Sequence, residues 1–317
     1  MRDAFIARLG SLAEANPRIF LITGDLGFGV LDKYGTSFSR QFLNVGVAEQ
    51  NMTGVATGLA LEGRIVFTYS IGNFPTLRCL EQIRNDAAYH DANVKVVAIG
   101  GGFSYGQLGF SHHATEDLSI MRALPHVTVV APGDTWEAAE ATEAIAATPG
   151  VCYLRLDKSA APPSADKQER FVLGKARLIR QGTDVTIAST GGILGEVLRA
   201  ADELNAAGVS TRILSVHTVS PLDTDAIFAA CRETGGLITV EEHTVVGGFG
   251  SAVAEACLEG DVKPRAFKRV GLRAGFSSHV GTQEFLRERY DVSASAIYKV
   301  ASEMGGVDPS VPSSLRQ

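Results

Sequence analysis

The segment VKVVAIG, residues 94–100, decides the fold class. Its β-branched residues mark a strand, and apart from Lys95 its apolar character runs on without alternation. A strand wetted on one side alternates, whereas a continuous run is covered on both faces, as in a parallel sheet between layers of helices. VTVVA at 127–131 has the same character. Working outward, strands are expected at Ile19–Thr23, Arg64–Tyr69, Val94–Gly100, Val127–Ala131 and Cys152–Leu156. Helical patterns lie between them near 3–16, 48–62, 75–90, 115–123 and 134–147. The helix at 75–90 opens on Pro75, a favoured first-turn residue, and repeats Leu77, Leu80, Ile83 and Ala87 at helical spacing.

The alternation breaks at DKSAAPPSADKQER, residues 157–170, whose prolines, small residues and charges read as a linker. It then restarts, with strands expected at Asp184–Ser189, Val209–Ser215, Leu237–Glu241 and Arg265–Val270 and helices near 192–207, 224–234 and 249–259. The expected fold class is therefore α/β, with two α/β domains, each a mainly parallel sheet flanked by helices. The expected division is a first domain over 1–157, a linker over 158–172, a second, smaller domain over 173–303 and a loose tail over 304–317.

A chain of 317 residues exceeds one small core and suits two domains of ordinary size. Hydrophobic residues make up 45% and charged residues 20%, a globular composition. The net charge of −6, with no basic run or aromatic-basic patch, argues against nucleic acid as a partner. Cys79, Cys152, Cys231 and Cys257 are scattered in apolar settings without metal or redox spacing, as reduced core thiols of a cytoplasmic protein are. No apolar run approaches the roughly 20 residues that span a bilayer, so no membrane association is expected.

Chemistry is expected around FLNVGVAEQNMTGVATGLALEG, residues 42–63, where an extended apolar run turns into a helix at Glu49. A carboxylate there is either a first-turn residue favoured by the helix N-terminus or a buried group held for a task. TGDLG, residues 23–27, followed by Asn51, looks at first like the diphosphate–magnesium motif of thiamine enzymes. Leu26 replaces its second glycine and Asn51 falls inside a helix rather than on a loop, so no metal ligands are expected on this chain. No Walker loop, HExxH or GxSxG is present.

The stretch NVGVAEQNMTGVATGLALEG resembles the pyrimidine-binding domain of transketolases and deoxyxylulose-phosphate synthases. RCLEQIRNDAAYHDANVKVV and SHHATEDLSIMRALPHVTVVAPGD continue the resemblance. HTVSPLD and LITVEEHTVVGGFGSAVAE carry it into the second domain. Because a full transketolase also has an N-terminal domain that binds diphosphate and Mg2+, the resemblance implies the C-terminal subunit of a split transketolase. It further implies thiamine diphosphate as cofactor, and Mg2+ held by ligands on an N-terminal partner subunit. The expected assembly is an α2β2 heterotetramer with a homodimer of this chain.

The resemblance also implies roles for individual residues. Glu49 would hydrogen-bond a ring nitrogen of the aminopyrimidine and favour its imino tautomer, a task suited to a carboxyl in dry, apolar surroundings. Phe74 would pack on that ring, with Ile71 and Arg78 beside it; Asp25 would lie near the thiazolium. His112, rather than its neighbour His113, would face the substrate as a hydrogen-bond donor or proton carrier. Arg2 and Arg155 match positions that bind a sugar phosphate. Glu241, Glu242 and His243 read as a strand end leading into a helix cap, with a dimer contact implied by the family. The departures cluster at the donor end. Leu108 stands where transketolases place an aspartate for a donor hydroxyl, Gly100 where they place a second histidine, and Gly29 where a serine helps hold phosphate. Tyr105 and Gln107 are the polar groups left there to meet a donor.

The implied activity is transfer of a two-carbon ketol unit from a ketose to an aldehyde. One alternative keeps the cofactor and takes a 2-oxo acid donor, as deoxyxylulose-phosphate synthase or the beta subunit of 2-oxo acid dehydrogenases does. Another is a non-catalytic regulatory subunit.

Overall fold

The computed structural model describes residues 1–304 except 159, 164, 166–168 and 274. Part of the linker expected over 158–172 and residues 305–317 of the expected tail lie outside the described residues; Met304 ends a helix.

Two sheets carry the molecule. The strands of the first are β1 (Ile19–Thr23), β2 (Phe42–Asn44), β3 (Ile65–Ile71), β4 (Val94–Ile99), β5 (Val127–Val130) and β6 (Val151–Leu156). In the second half come β7 (Arg177–Arg180), β8 (Val185–Thr190), β9 (Thr211–Ser215), β10 (Thr218–Ser220), β11 (Leu237–Thr244) and β12 (Phe267–Leu272). The first sheet runs β10-β5-β6-β4-β3-β1-β2 and the second β12-β11-β8-β9-β7. The edge strands β10 and β7 are antiparallel to their neighbours, and the other pairings are parallel. These are the two mainly parallel α/β sheets expected, with one addition: β10, from the second half of the chain, forms an edge of the first sheet.

All six residues of β4 are buried, because the sheet is covered on both sides. Val94, Val96 and Ala98 face a core shared with Met52, Ala56 and Ala60 of helix Glu49–Leu61. Val97 and Ile99 face Phe5, Leu9 and Ala13 of helix Arg2–Ala15 and Ala138, Ala141 and Ile145 of helix Thr135–Ala147. Lys95 survives inside because its amine donates to the carbonyls of Thr148 and Gly150 at 2.6 Å each, so the buried charge is solvated by backbone. The expected helix at 75–90 is irregular: a 3-10 turn over Leu77–Cys79, an α turn over Leu80–Gln82, and a π-helical stretch over Ile83–Ala88. Helices Asp32–Ser37, Gln283–Arg289 and Ala294–Met304 add to those expected. Among the described residues no helix is long and apolar enough to cross a membrane. The four cysteines are free and buried.

Candidate active site

Asp25, Glu49, Phe74, Arg78, Tyr105, Gln107 and His112 all follow the carboxyl ends of strands in the first sheet. β1 leads to Asp25, β2 to Glu49, β3 to Phe74 and Arg78, and β4 to Tyr105, Gln107 and His112. From β1 the chain steps outward to β2 and then back past β1 to β3, so the order reverses there. In open parallel sheets that edge, at such a reversal, is where ligands bind.

Glu49 is the first residue of its helix and only 3% exposed. Ala48, at the N-cap, offers no side-chain cap, and Gly46 takes φ +75° to turn the chain into the helix. Arg78 Nη1 donates to Glu49 Oε2 at 2.8 Å. Among the described residues no hydrogen bond reaches Oε1. The expected setting is apolar and dry; burial is present, but a guanidinium stands on one side of the carboxylate. Gly24 lies against the other groups of this turn: a Cβ there would sit 3.5 Å from Glu49 Cγ and 3.4 Å from the Gly46 carbonyl.

A chain of contacts runs on from Glu49. The Arg78 guanidinium, half exposed, lies 4.4 Å from the centre of the Phe74 ring. Phe74 meets His112 edge-on at 5.1 Å, and His112 lies 6.4 Å from the Tyr105 ring. His112 Nδ1 and Ser111 Oγ are 3.0 Å apart. Partial burial, and secondarily the neighbouring His113, lower the His112 pKa, which favours the neutral ring. His113 is enclosed: its Nδ1 meets the Ser277 hydroxyl at 2.9 Å and carbonyl at 3.0 Å, and Phe103 packs edge-on. Ile71 is half-buried at the end of β3, and Gln107 is exposed.

Asp25 is exposed at φ +56°. Asn44 holds it there. The Asn44 amide donates to Asp25 Oδ1 at 3.0 Å, while Asn44 Oδ1 accepts from the backbone of Asp25 and Gly46, both at 3.0 Å. Asn44 went unread as a site residue although it begins the NVGVAE segment. At 100, the glycine has a structural cause: φ is +98° and a Cβ would run into the Tyr105 ring, which occupies the space a side chain would need. Arg2 is half-exposed and pairs with Asp3 at 2.9 Å.

Arg155 requires a correction. The resemblance has it meet a substrate phosphate, yet it is 1% exposed, pointing from β6 into the seam between the two halves. Its guanidinium lies 3.5 Å from Asp117 and 3.6 Å from Asp157 and donates to the Glu242 carbonyl at 2.9 Å. Three interactions in the interior leave it no path to a ligand. Around it Glu242 accepts from the Phe103 backbone (2.5 Å), Gln283 (2.8 Å) and Arg287 (2.5 Å). Glu241 caps helix Phe249–Glu259, accepting from the backbone of Phe249 at 2.7 Å and Gly250 at 2.8 Å, as the cap reading expects.

No group of three or more candidate metal ligands occurs among the described residues, at this edge or elsewhere.

Residues 1–163 match the transketolase pyrimidine binding domain, and residues 174–297 match the transketolase C-terminal domain. The 6-deoxy-6-sulfo-D-fructose transketolase subunit SqwH of Clostridium sp. (strain MSTE9) is 38% identical over 305 residues, covering 96% of this chain and 94% of that protein. A subunit of the apulose-4-phosphate transketolase of Phocaeicola vulgatus is 33% identical over 304 residues, covering 95% of this chain and 96% of its own length. A solved split gene transketolase, an inactive beta4 tetramer, is 33% identical with a TM-score of 0.86, covering 96% of this chain and 98% of its own. With matches of this extent, the chain belongs to the transketolase family of thiamine diphosphate-dependent transferases and carries its pyrimidine-binding and C-terminal domains.

Proposed function

We propose that the chain is the C-terminal subunit of a two-chain transketolase that moves a two-carbon ketol unit from a ketose-type donor to an aldehyde, and that it works only with a partner subunit. The observation that carries the reading is Glu49: a buried carboxylate at a helix start, fixed through one oxygen by Arg78 and open at the other, with Arg78 in turn lying 4.4 Å from the centre of the Phe74 ring. Those groups fit the aminopyrimidine end of thiamine diphosphate. Glu49 Oε1 would meet a ring nitrogen, Phe74 and Ile71 would pack on the ring, and Arg78 would keep the carboxylate oriented. When bound, the cofactor supplies the electron sink for carbon–carbon cleavage. Asp25, tied to Asn44 at the end of β1, would face the cofactor. His112, favoured neutral, can donate to or accept a proton from the reacting oxygen. Tyr105, Gln107 and Arg2 are left for the donor.

Leu26 in place of the second glycine of the diphosphate–magnesium motif, and Asn51 within helix Glu49–Leu61 rather than on a loop, support a diphosphate end held elsewhere. We therefore assign the Mg2+ site to the partner subunit, in an α2β2 heterotetramer built on a homodimer of this chain. We further assign the chain to the cytoplasm, and its two domains to residues 1–157 and 173–303, joined over 158–172. The expected result in calorimetry is weak binding of thiamine diphosphate by this chain alone and tight, magnesium-dependent binding once the partner is added. Tight binding by the isolated chain overturns the division of labour.

The donor follows from the edge of β4. Leu108 is 56% exposed with a side chain that has no hydrogen-bonding group, and Tyr105 fills the space beside Gly100. Selectivity for a hydroxyl needs a group placed to pair with it. The reconstituted complex is expected to use xylulose 5-phosphate poorly and to prefer a modified or deoxygenated sugar, with Leu108→Asp improving the former. A donor panel that also contains pyruvate checks this, and ordinary transketolase efficiency of the wild type on xylulose 5-phosphate defeats it.

A further inference from the structure

We propose that His113 is a positioning residue through which the second domain sets the shape of the loop over 103–113, and with it the place of Tyr105, Gln107 and His112 before the donor. The inference deepens the function proposed above and rests on it for what that loop meets.

The loop leaves the end of β4 and returns to its own root. Gly102 and Ala114 close it: the Gly102 N–H donates to the Ala114 carbonyl at 2.8 Å and the Ala114 N–H to the Gly102 carbonyl at 3.0 Å. Inside that clasp lie two 3-10 turns, Gly106–Leu108 and Phe110–His112. Short turns contribute little order of their own, so what packs on the loop decides its shape. The second domain packs on it. Phe103 is fully buried in a core with Val185, Ile187, Val240 and Leu286, and Tyr290 stacks on its ring at 5.2 Å. Glu242 of β11 accepts from the Phe103 N–H at 2.5 Å. A Cβ at Gly106 would run into Leu286 and the Gly281 carbonyl, so the two segments are pressed together there. The Gly281 N–H donates to the Gly106 carbonyl at 3.3 Å.

His113 pins the returning end of the loop and is buried. Its Nδ1 meets the hydroxyl and the carbonyl of Ser277, at 2.9 and 3.0 Å, and its Nε2 lies 3.3 Å from the Gly106 carbonyl. One ring thus joins both arms of the loop to the second domain. The first domain holds the same residue by its main chain, with the Asn73 amide donating to the His113 carbonyl at 2.8 Å. His112, one residue earlier, is thereby delivered edge-on to Phe74. An apolar side chain would be enough to fill the seam. An imidazole with both nitrogens at polar atoms of two segments fixes direction as well as volume, because hydrogen bonds weaken steeply with misalignment. Glu49, Arg78 and Phe74 stand instead on the segments after β2 and β3. Slackening the loop therefore weakens the donor contacts while the groups that fit the aminopyrimidine keep their places, a separation that a general loss of stability does not produce.

The test compares His113→Ala, His113→Asn and Ser277→Ala. An asparagine amide nitrogen stands as many bonds from the backbone as Nδ1 and can still reach Ser277. The first measurement is hydrogen exchange of the full chain without its partner. Amides over 103–113 are expected to exchange about tenfold faster in His113→Ala, the order of one or two lost hydrogen bonds, with helix Glu49–Leu61 protected as before. The second is steady-state kinetics of the complex reconstituted with its partner, with xylulose 5-phosphate and the best donor of the panel above as probes. In His113→Ala kcat/KM for the donor is expected to fall by about 10- to 100-fold, since a displacement of roughly 1 Å costs on that order. The affinity for thiamine diphosphate should stay unchanged, and His113→Asn should restore most of both losses. Should His113→Ala fail to fold, Ser277→Ala, which removes a single hydroxyl, carries both measurements with smaller effects in the same direction. Unchanged exchange over 103–113, or donor efficiency and cofactor affinity falling together, overturns the assignment. If no donor of the panel is turned over while exchange over 103–113 still follows His113, it is the ketol-transfer reading that falls and the role of His113 in holding the loop that stands.

Discussion

Replacing Glu49 by Gln is expected to lower kcat of the reconstituted enzyme by two to three orders of magnitude, roughly the range found when a positioned acid or base is removed. The substitution keeps size and shape. A glutamine oxygen can still accept from Arg78 at the place where Glu49 Oε2 now accepts at 2.8 Å. What is lost is the ability of the second oxygen to exchange a proton with a ring nitrogen. Folding should therefore survive: an unchanged midpoint in thermal unfolding and normal assembly with the partner are part of the expected result. Steady-state assays with saturating cofactor and donor make the measurement. A variant within about tenfold of wild type, roughly 1.4 kcal/mol of barrier, would remove Glu49 from the proton path and leave it as a helix-start carboxylate held by an arginine.

The parts of the fold that can be read from sequence are those where burial leaves a mark in composition. β4 and β8 are each buried along their whole length, and both lie within a residue of their expected bounds. β11 continues three residues beyond its expected end, through Glu242 and His243, because those polar side chains find partners in the interior. The short edge strands leave no such mark. β2 is three residues with two of them exposed, and β10 exists only because Thr218 and Ser220 pair with β5 some 90 residues earlier in the chain. Pairing at that separation has no local signature. The segment at 75–90 shows the opposite difficulty. Its apolar spacing correctly marks a helix, but the π register over Ile83–Ala88 is a matter of hydrogen bonding rather than composition.

At the site, the motif around Glu49 points to the residue, yet not to its partner geometry. Arg155 illustrates a further limit. Side chains alternate along a strand, so Tyr153, Arg155 and the residue just past the strand, Asp157, share one face. Sequence gives that grouping. Whether the face meets solvent or the other half of the molecule depends on Asp117 and Glu242, which arrive from distant elements.

That enclosure gives the largest stability effect. Arg155→Met is expected to destabilise the protein by about 3–5 kcal/mol, because removing one member of a buried ionic group strands the charges that remain. Asp117 would keep the Tyr153 hydroxyl (2.5 Å) at its Oδ2 and the His243 ring 3.8 Å from its Oδ1, and Asp157 would keep the backbone N–H of Gly192 (2.6 Å). Burial already pushes the Asp157 pKa upward, with the Arg155 charge opposing it, so loss of the guanidinium drives that carboxyl further toward the protonated form. The loss also cuts a tie between the halves, since Arg155 on β6 donates to the Glu242 carbonyl on β11 at 2.9 Å. If stranded charge is the cause, Arg155→Met combined with Asp117→Asn and Asp157→Asn should recover much of the stability, as exchanging a whole buried ionic group for neutral residues often does. Denaturant unfolding of the three proteins measures this, and donor KM in whatever folded complex remains supplies the control. Were Arg155→Met to unfold within about 1 kcal/mol of wild type while raising KM only for anionic donors, the arginine would be a substrate ligand that reaches the cleft in the assembled enzyme rather than a tie between the two halves.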